Sequence, residues 1–225
     1  MTEWADGVWT TDRPQRFYGV ETGTRMTVLR LSDGGLFVHG PVRLDAPTRA
    51  AVEALGPVRA IACASLFHHL YAGDWITAWP DAVLAGCPGL AAKRPDLPWS
   101  HTLGDEPHPA WAADLSQVYL SARFEHEVVF HHARTRTLLC HDALLNLRTH
   151  PAPMTRFVSY LMLNDAPGTG WMERIAVGNR ANARAEARRV LEWDFDRVIL
   201  AHGANVERDG RAAFRRAYGW LGDLG

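Results

Sequence analysis

The chain has 225 residues, 47% of them hydrophobic and 22% charged, a balance that excludes a disordered, collagen-like or coiled-coil chain and is large enough to bury a core. Twenty-four Lys and Arg residues stand against 25 Asp and Glu residues, for a net charge of -1, and no stretch gathers the cations. This excludes the clustered phosphate contacts on which nucleic-acid affinity rests, and Arg184, Arg188 and Arg189, interleaved with Glu186 and Glu192, read as a solvated helix face.

Met1 to Asp6 is acidic and carries neither a basic leader nor an apolar core, and no window approaches the roughly 20 apolar residues of a membrane span. Cys63, Cys87 and Cys140 are odd in number, widely spaced and set among apolar neighbours, as suits buried thiols in a reducing compartment. One domain over residues 1–225, in the cytoplasm and with neither a membrane nor a nucleic-acid partner, is the expectation.

In chain order, Val8 to Thr10, Phe17 to Val20, Met26 to Leu31 and Leu36 to His39 read as strands, the last two joined by the turn Ser32-Asp33-Gly34-Gly35. A helix is predicted from Ala46 to Leu55, capped near Asp45 and stopped by Gly56-Pro57. Val58 to Ala62 follows as a buried strand. The turn Ser65-Leu66-Phe67-His68-His69, a helix from Leu70 to Trp79 and a strand at Val83 to Ala85 then complete a βαβ unit of a layered α/β protein. Gly86 to Gly89 opens another helical turn, and residues 95–114, rich in Pro and Trp, read as an extended connection.

Three strands are predicted next, at Val118 to Ser121, Glu127 to His132 and Thr137 to Cys140, with Arg134-Thr135-Arg136 as a turn. On the second of these, only one of His131 and His132 is expected to face inward. Helices at Met154 to Leu163 and Asn179 to Trp193, a strand at Arg197 to Ala201 and a helix from Gly210 to Leu221 close the chain. Gly168-Thr169-Gly170 is too short for a phosphate cradle. Trp99, Trp111, Trp171 and Tyr160 suit either the core or an aromatic pocket.

The chemistry concentrates just past three strands. His68 and His69, then His141-Asp142, then His202 each follow an apolar run, and the carboxyl ends of strands in layered α/β proteins converge on one ligand-binding rim. Imidazoles with a carboxylate form a donor set suited to Zn or Fe. The same residues also fit a bland account, in which His68 caps the following helix and Asp142 accepts backbone N–H groups in a turn.

This order of strands, His-rich turn, Asp after a hairpin strand and a late strand ending in Ala201-His202-Gly203 resembles the metallo-β-lactamase superfamily. The segments Phe67 to Trp75, Gly89 to Asp96 and Glu127 to His131 resemble an uncharacterised subfamily of it, known only as a domain of unknown function. The resemblance covers roughly residues 8–222 and implies an α/β fold, a four-layer αββα sandwich with the site on the open rim of its two sheets.

The superfamily's motif His-x-His-x-Asp-His, laid with its last two positions on His68-His69, places Ala64 and Leu66 at its first two histidines. Neither can bind a metal. The middle histidine has no clean match, with Glu125 or His126 falling near it, whereas Asp142 matches the bridging carboxylate and His202 the last histidine. The resemblance therefore implies a reduced, mononuclear metal site of His68, His69, Asp142 and His202, holding one Zn or Fe ion in a hydrolase-like protein acting on an unknown small molecule. Asp74, Asp105 and His141 stand near enough in sequence to be weighed as general acids. The alternative is a non-catalytic binding or interaction module that keeps the fold and has no metal.

Overall fold

The computed structural model describes residues 1–122, 126–164 and 166–225. In chain order the elements are β1 (Thr2–Ala5), β2 (Val8–Arg13), β3 (Arg16–Phe17), β4 (Val20–Glu21), β5 (Thr24–Arg30), β6 (Leu36–His39), α1 (Ala46–Leu55), β7 (Val58–Cys63), α2 (Ala72–Ala78), β8 (Val83–Gly86), α3 (Leu90–Lys93) and β9 (His101–Thr102). The second half holds β10 (Leu115–Leu120), β11 (Glu127–His132), β12 (Thr137–Cys140), α4 (Pro153–Leu161), α5 (Trp171–Ala176), α6 (Arg180–Leu191), β13 (Arg197–Leu200) and α7 (Gly210–Tyr218).

Two sheets lie face to face. One has seven strands in the order β1-β2-β5-β6-β7-β8-β9, the other four in the order β10-β11-β12-β13. Phe37, Ala60, Ala62 and Leu29 of the first sheet pack against Val128, Phe130, Leu139 and Ile199 of the second, with Trp111 fully buried among them. On the outer face of the first sheet, Val28, Val38, Ile61 and Leu84 meet Val52 of α1, Trp75 and Ile76 of α2 and Leu90 of α3. On the outer face of the second, Val118, Val129, Leu138 and Val198 meet Ala187 and Val190 of α6 and Phe214 of α7. The result is the αββα sandwich.

Pairing is parallel between β6, β7, β8 and β9, and again between β12 and β13. The carboxyl ends of β6, β7, β12 and β13 thereby come to one rim. The sheets are also tied there directly. The Ala64 carbonyl, just past β7, accepts the Val128 N–H at 2.8 Å, and Ser65 bridges Glu127. Arg25 of β5 reaches across to the Leu200 and Gly203 carbonyls at 2.7 and 2.9 Å.

Several boundaries differ from the sequence reading. The single strand expected from Phe17 to Val20 is a two-stranded hairpin, because Tyr18 and Gly19 have positive φ (45° and 84°) and reverse the chain. Both His131 and His132 are buried, the first stacked on Trp193 and the second bonded to Thr135, so neither is solvated. Of the four aromatics, Trp111 is core and Trp99 packs against the α1–α3 core, whereas Tyr160 and Trp171 stand exposed. No described helix is long and apolar enough to cross a membrane.

Candidate metal centre

Strand ends deliver each candidate side chain. Past β7 the chain leaves the sheet and carries Phe67-His68-His69 over the rim. Past β12 it turns sharply, and the N–H groups of His141, Asp142 and Ala143 all donate to the buried Glu127 carboxylate, at 2.6, 2.9 and 2.7 Å. Past β13, Gly203 has φ +84°, and a Cβ there would overlap the Asn146 carbonyl, so the turn after His202 requires glycine.

These turns bring three of the four expected ligands together. Nε2 of His68 and Nε2 of His202 lie 3.5 and 3.3 Å from Asp142 Oδ1, and the three donor atoms fall within 4.8 Å of one another. Two of the three have support behind them. His202 Nδ1–H donates to the Gly23 carbonyl at 2.7 Å, which turns Nε2 toward the cluster, and Ser65 Oγ donates to Asp142 Oδ2 at 3.1 Å. Burial opposes ionisation of Asp142, yet the facing His68 and the His202 hydrogen bond outweigh it and hold its carboxyl well below the usual range. Burial likewise opposes protonation of His202, and the hydrogen bond to Asp142 raises it nonetheless.

His69 lies outside this group. Its Nδ1 sits 3.3 Å from an Arg94 guanidinium nitrogen, and burial, with Lys93 and Arg94 nearby, pushes its imidazole down to about 4. Asp105 is likewise engaged elsewhere, 2.9 Å from Arg189. Asp74 lies in the first turn of α2, and Glu125 falls outside the described residues.

Three further residues complete the surroundings. The rings of His39, His141 and His68 stack nearly parallel, with centroids 4.0 and 4.1 Å apart. His39 and His141 are fully buried, and Nε2 of His39 and both ring nitrogens of His141 have no hydrogen-bond partner among the described residues. Burial pushes His39 down to about 3 and holds His141 well below its ordinary value, so both rings are neutral. The third is Glu127, which burial and the nearby Asp142 push up to about 8 against the pull of its three N–H donors. The strand-end rule that selects His202 also selects His39, the last residue of β6. The sequence marks Glu127 only as the start of a strand and of the Glu127 to His131 segment, and its role at the site rests on a backbone turn that sequence alone does not show.

The donor set fits a small divalent cation. Two imidazole nitrogens and one carboxylate oxygen converge with a backbone carbonyl orienting one ring, and three protein ligands leave coordination positions open.

Among solved structures, the chain is similar to a metallo-β-lactamase from Pontibacter korlensis (12% identity, TM-score 0.66, covering 98% of this chain and 97% of that one). It is similar also to one from Hirschia baltica (15%, 0.63, 98% and 95%) and to FIM-1 from Pseudomonas aeruginosa in its mono-zinc form (11%, 0.62, 97% and 94%). At such identities the likeness shows the fold, that of the metallo-β-lactamases. No curated protein matches the chain. The family model that does match, described as a domain of unknown function (DUF4336), covers residues 5–173, well over half of the sequence, and the chain belongs to that family.

Proposed function

We propose that this protein is a hydrolase-like enzyme acting on a small molecule with one metal ion, Zn or Fe, held by His68, Asp142 and His202. The observation that carries the reading is the convergence of these three donor atoms within 4.8 Å on one rim. When bound, such an ion supplies Lewis acidity, acidifying water and stabilising negative charge that develops on a substrate oxygen.

The chain's own residues do the rest. The Gly23 carbonyl fixes the His202 tautomer, and Ser65 and the Glu127 clamp hold the carboxylate of Asp142 in place. The buried His39 and His141 stack behind His68 and back its ring on that side. His69, facing Arg94, is a supporting residue, and the centre is reduced to a single ion because Ala64 and Leu66 offer no donors. Three buried free thiols support a working place in the reducing cytoplasm.

The chain purified without an affinity tag is expected to carry about one equivalent of Zn or Fe by elemental analysis, and His202→Ala and Asp142→Ala are each expected to lose it about tenfold or more. Substoichiometric metal that does not change in either variant would favour the non-catalytic module instead.

A further inference from the structure

We infer that the outward side of α4, continued by Leu163 and the start of α5, is the face on which a second copy of this chain docks. The polarity of α4 is inverted. Its buried positions are Thr155, whose hydroxyl donates to the Glu21 carbonyl at 2.7 Å, and Ser159, while Met154, Phe157, Tyr160 and Leu161 point away from the protein. Trp171 N–H donates to the Met162 carbonyl at 3.1 Å, so α5, with Trp171, Met172 and Ile175 also outward, adjoins the end of α4. These large apolar residues, Leu163 included, are between 43% and 65% exposed.

At the size of such side chains this is on the order of 600–800 Å² of apolar surface, against the few hundred Å² that a monomer usually leaves in one patch. It is also about what one partner contributes to a standard stable interface, roughly 800 Å². The arrangement favours a helix as the opposing surface. Met154, Phe157 and Leu161 follow i, i+3, i+7, the spacing of a ridge that packs between the ridges of another helix.

Charge argues against other occupants. The only charged side chain of α4 is Arg156, and its guanidinium turns back to the His150 and Pro151 carbonyls at 2.7 and 3.1 Å. A helix resting on anionic lipid carries several exposed cations beside its apolar face, which this one lacks. The nearby cavity, of about 50 Å³, lies inward, among Glu127, Asp142, Thr169 and Tyr218, and no α4 side chain lines it. The same apolar ridge related by a twofold axis is its natural complement, since each copy then supplies the surface the other needs.

Sedimentation velocity on the full chain at about 50 μM tests this. Wild type is expected at twice the chain mass, and Phe157→Glu and Leu161→Glu, both at exposed positions, are expected to weaken self-association at least about tenfold with the circular dichroism unchanged. Tyr160→Cys supplies a second reading, in which oxidation links two copies of a chain whose native thiols are all buried. A wild-type monomer at that concentration, a dimer that persists in both Glu variants, or a monomer that adsorbs to anionic phosphatidylglycerol vesicles would overturn the proposal.

Discussion

Gly40 follows His39 with φ +65°, and a Cβ on it would overlap Nε2 of His141. Gly40→Ala therefore combines a left-handed backbone with a steric overlap, and is expected to cost about 2–3 kcal/mol in thermal or urea unfolding. A cost below about 0.5 kcal/mol would show that the His39–His141 stack tolerates displacement. His132 gives a second test at this scale. Burial, with Arg134 and His131 adding to it against Asp114 and Asp6, pushes His132 down to about 4, and its ring bonds Thr135 at 2.7 Å. The unfolded chain takes up this proton near pH 6.5 and the folded chain only near 4. The stability held by the neutral ring is thus fully present above pH 6.5 and is lost as pH falls toward 4. The share held by His132 should be about 1 kcal/mol smaller at pH 5 than at pH 7, and His132→Gln should lessen the pH dependence of unfolding by about that amount, with the buried His39, His69 and His141 supplying the rest.

The β3–β4 hairpin reverses at Tyr18, a non-glycine residue in the left-handed region with a fully exposed ring. Turns of this form favour Asn-Gly, so Tyr18→Asn is expected to raise stability by about 0.5–1 kcal/mol, measured as an upward shift in Tm. A fall would mean that the Phe17–Tyr18 ring contact outweighs the backbone strain. The same hairpin shows where the sequence was hard to read. Phe-Tyr-Gly-Val carries the apolar content of a strand, and only the backbone conformation of Tyr18 divides it in two. By contrast α1 was legible to the residue, because the Asp45 carboxylate accepts the Thr48 N–H at 2.8 Å and Gly56 ends the helix. Most strands from β5 onward and the rim followed from the apolar runs, whereas β1 and β9 were not legible and the two facing sheets were implied only by the family resemblance. At the site, His68, Asp142 and His202 were legible as residues that follow strands, whereas the choice between the neighbours His68 and His69 depends on how an irregular turn is twisted. No periodicity encodes that.

Across the whole molecule, Trp111 comes from the connection between the two halves and lies between the sheets, against Phe37 with ring centroids 5.3 Å apart, its indole N–H donating to Gln117 at 2.9 Å. Trp111→Ala is expected to cost about 3–5 kcal/mol in denaturant unfolding, the range for emptying a large aromatic site in a core. A cost near 1 kcal/mol would mean that the sheets close over the gap.

The proposed centre is shared between the two sheets. His68 hangs from the first sheet, Asp142 and His202 from the second, and the tautomer of His202 is set by Gly23 back on the first. Neither half owns enough donors to hold a cation alone, so an ion would act as a rivet through the seam, adding nothing to either half before they meet and resisting their separation afterward. Stripping it would first show as faster amide exchange along that seam, at Val128 and around residues 141–143, while the outer helices stayed protected.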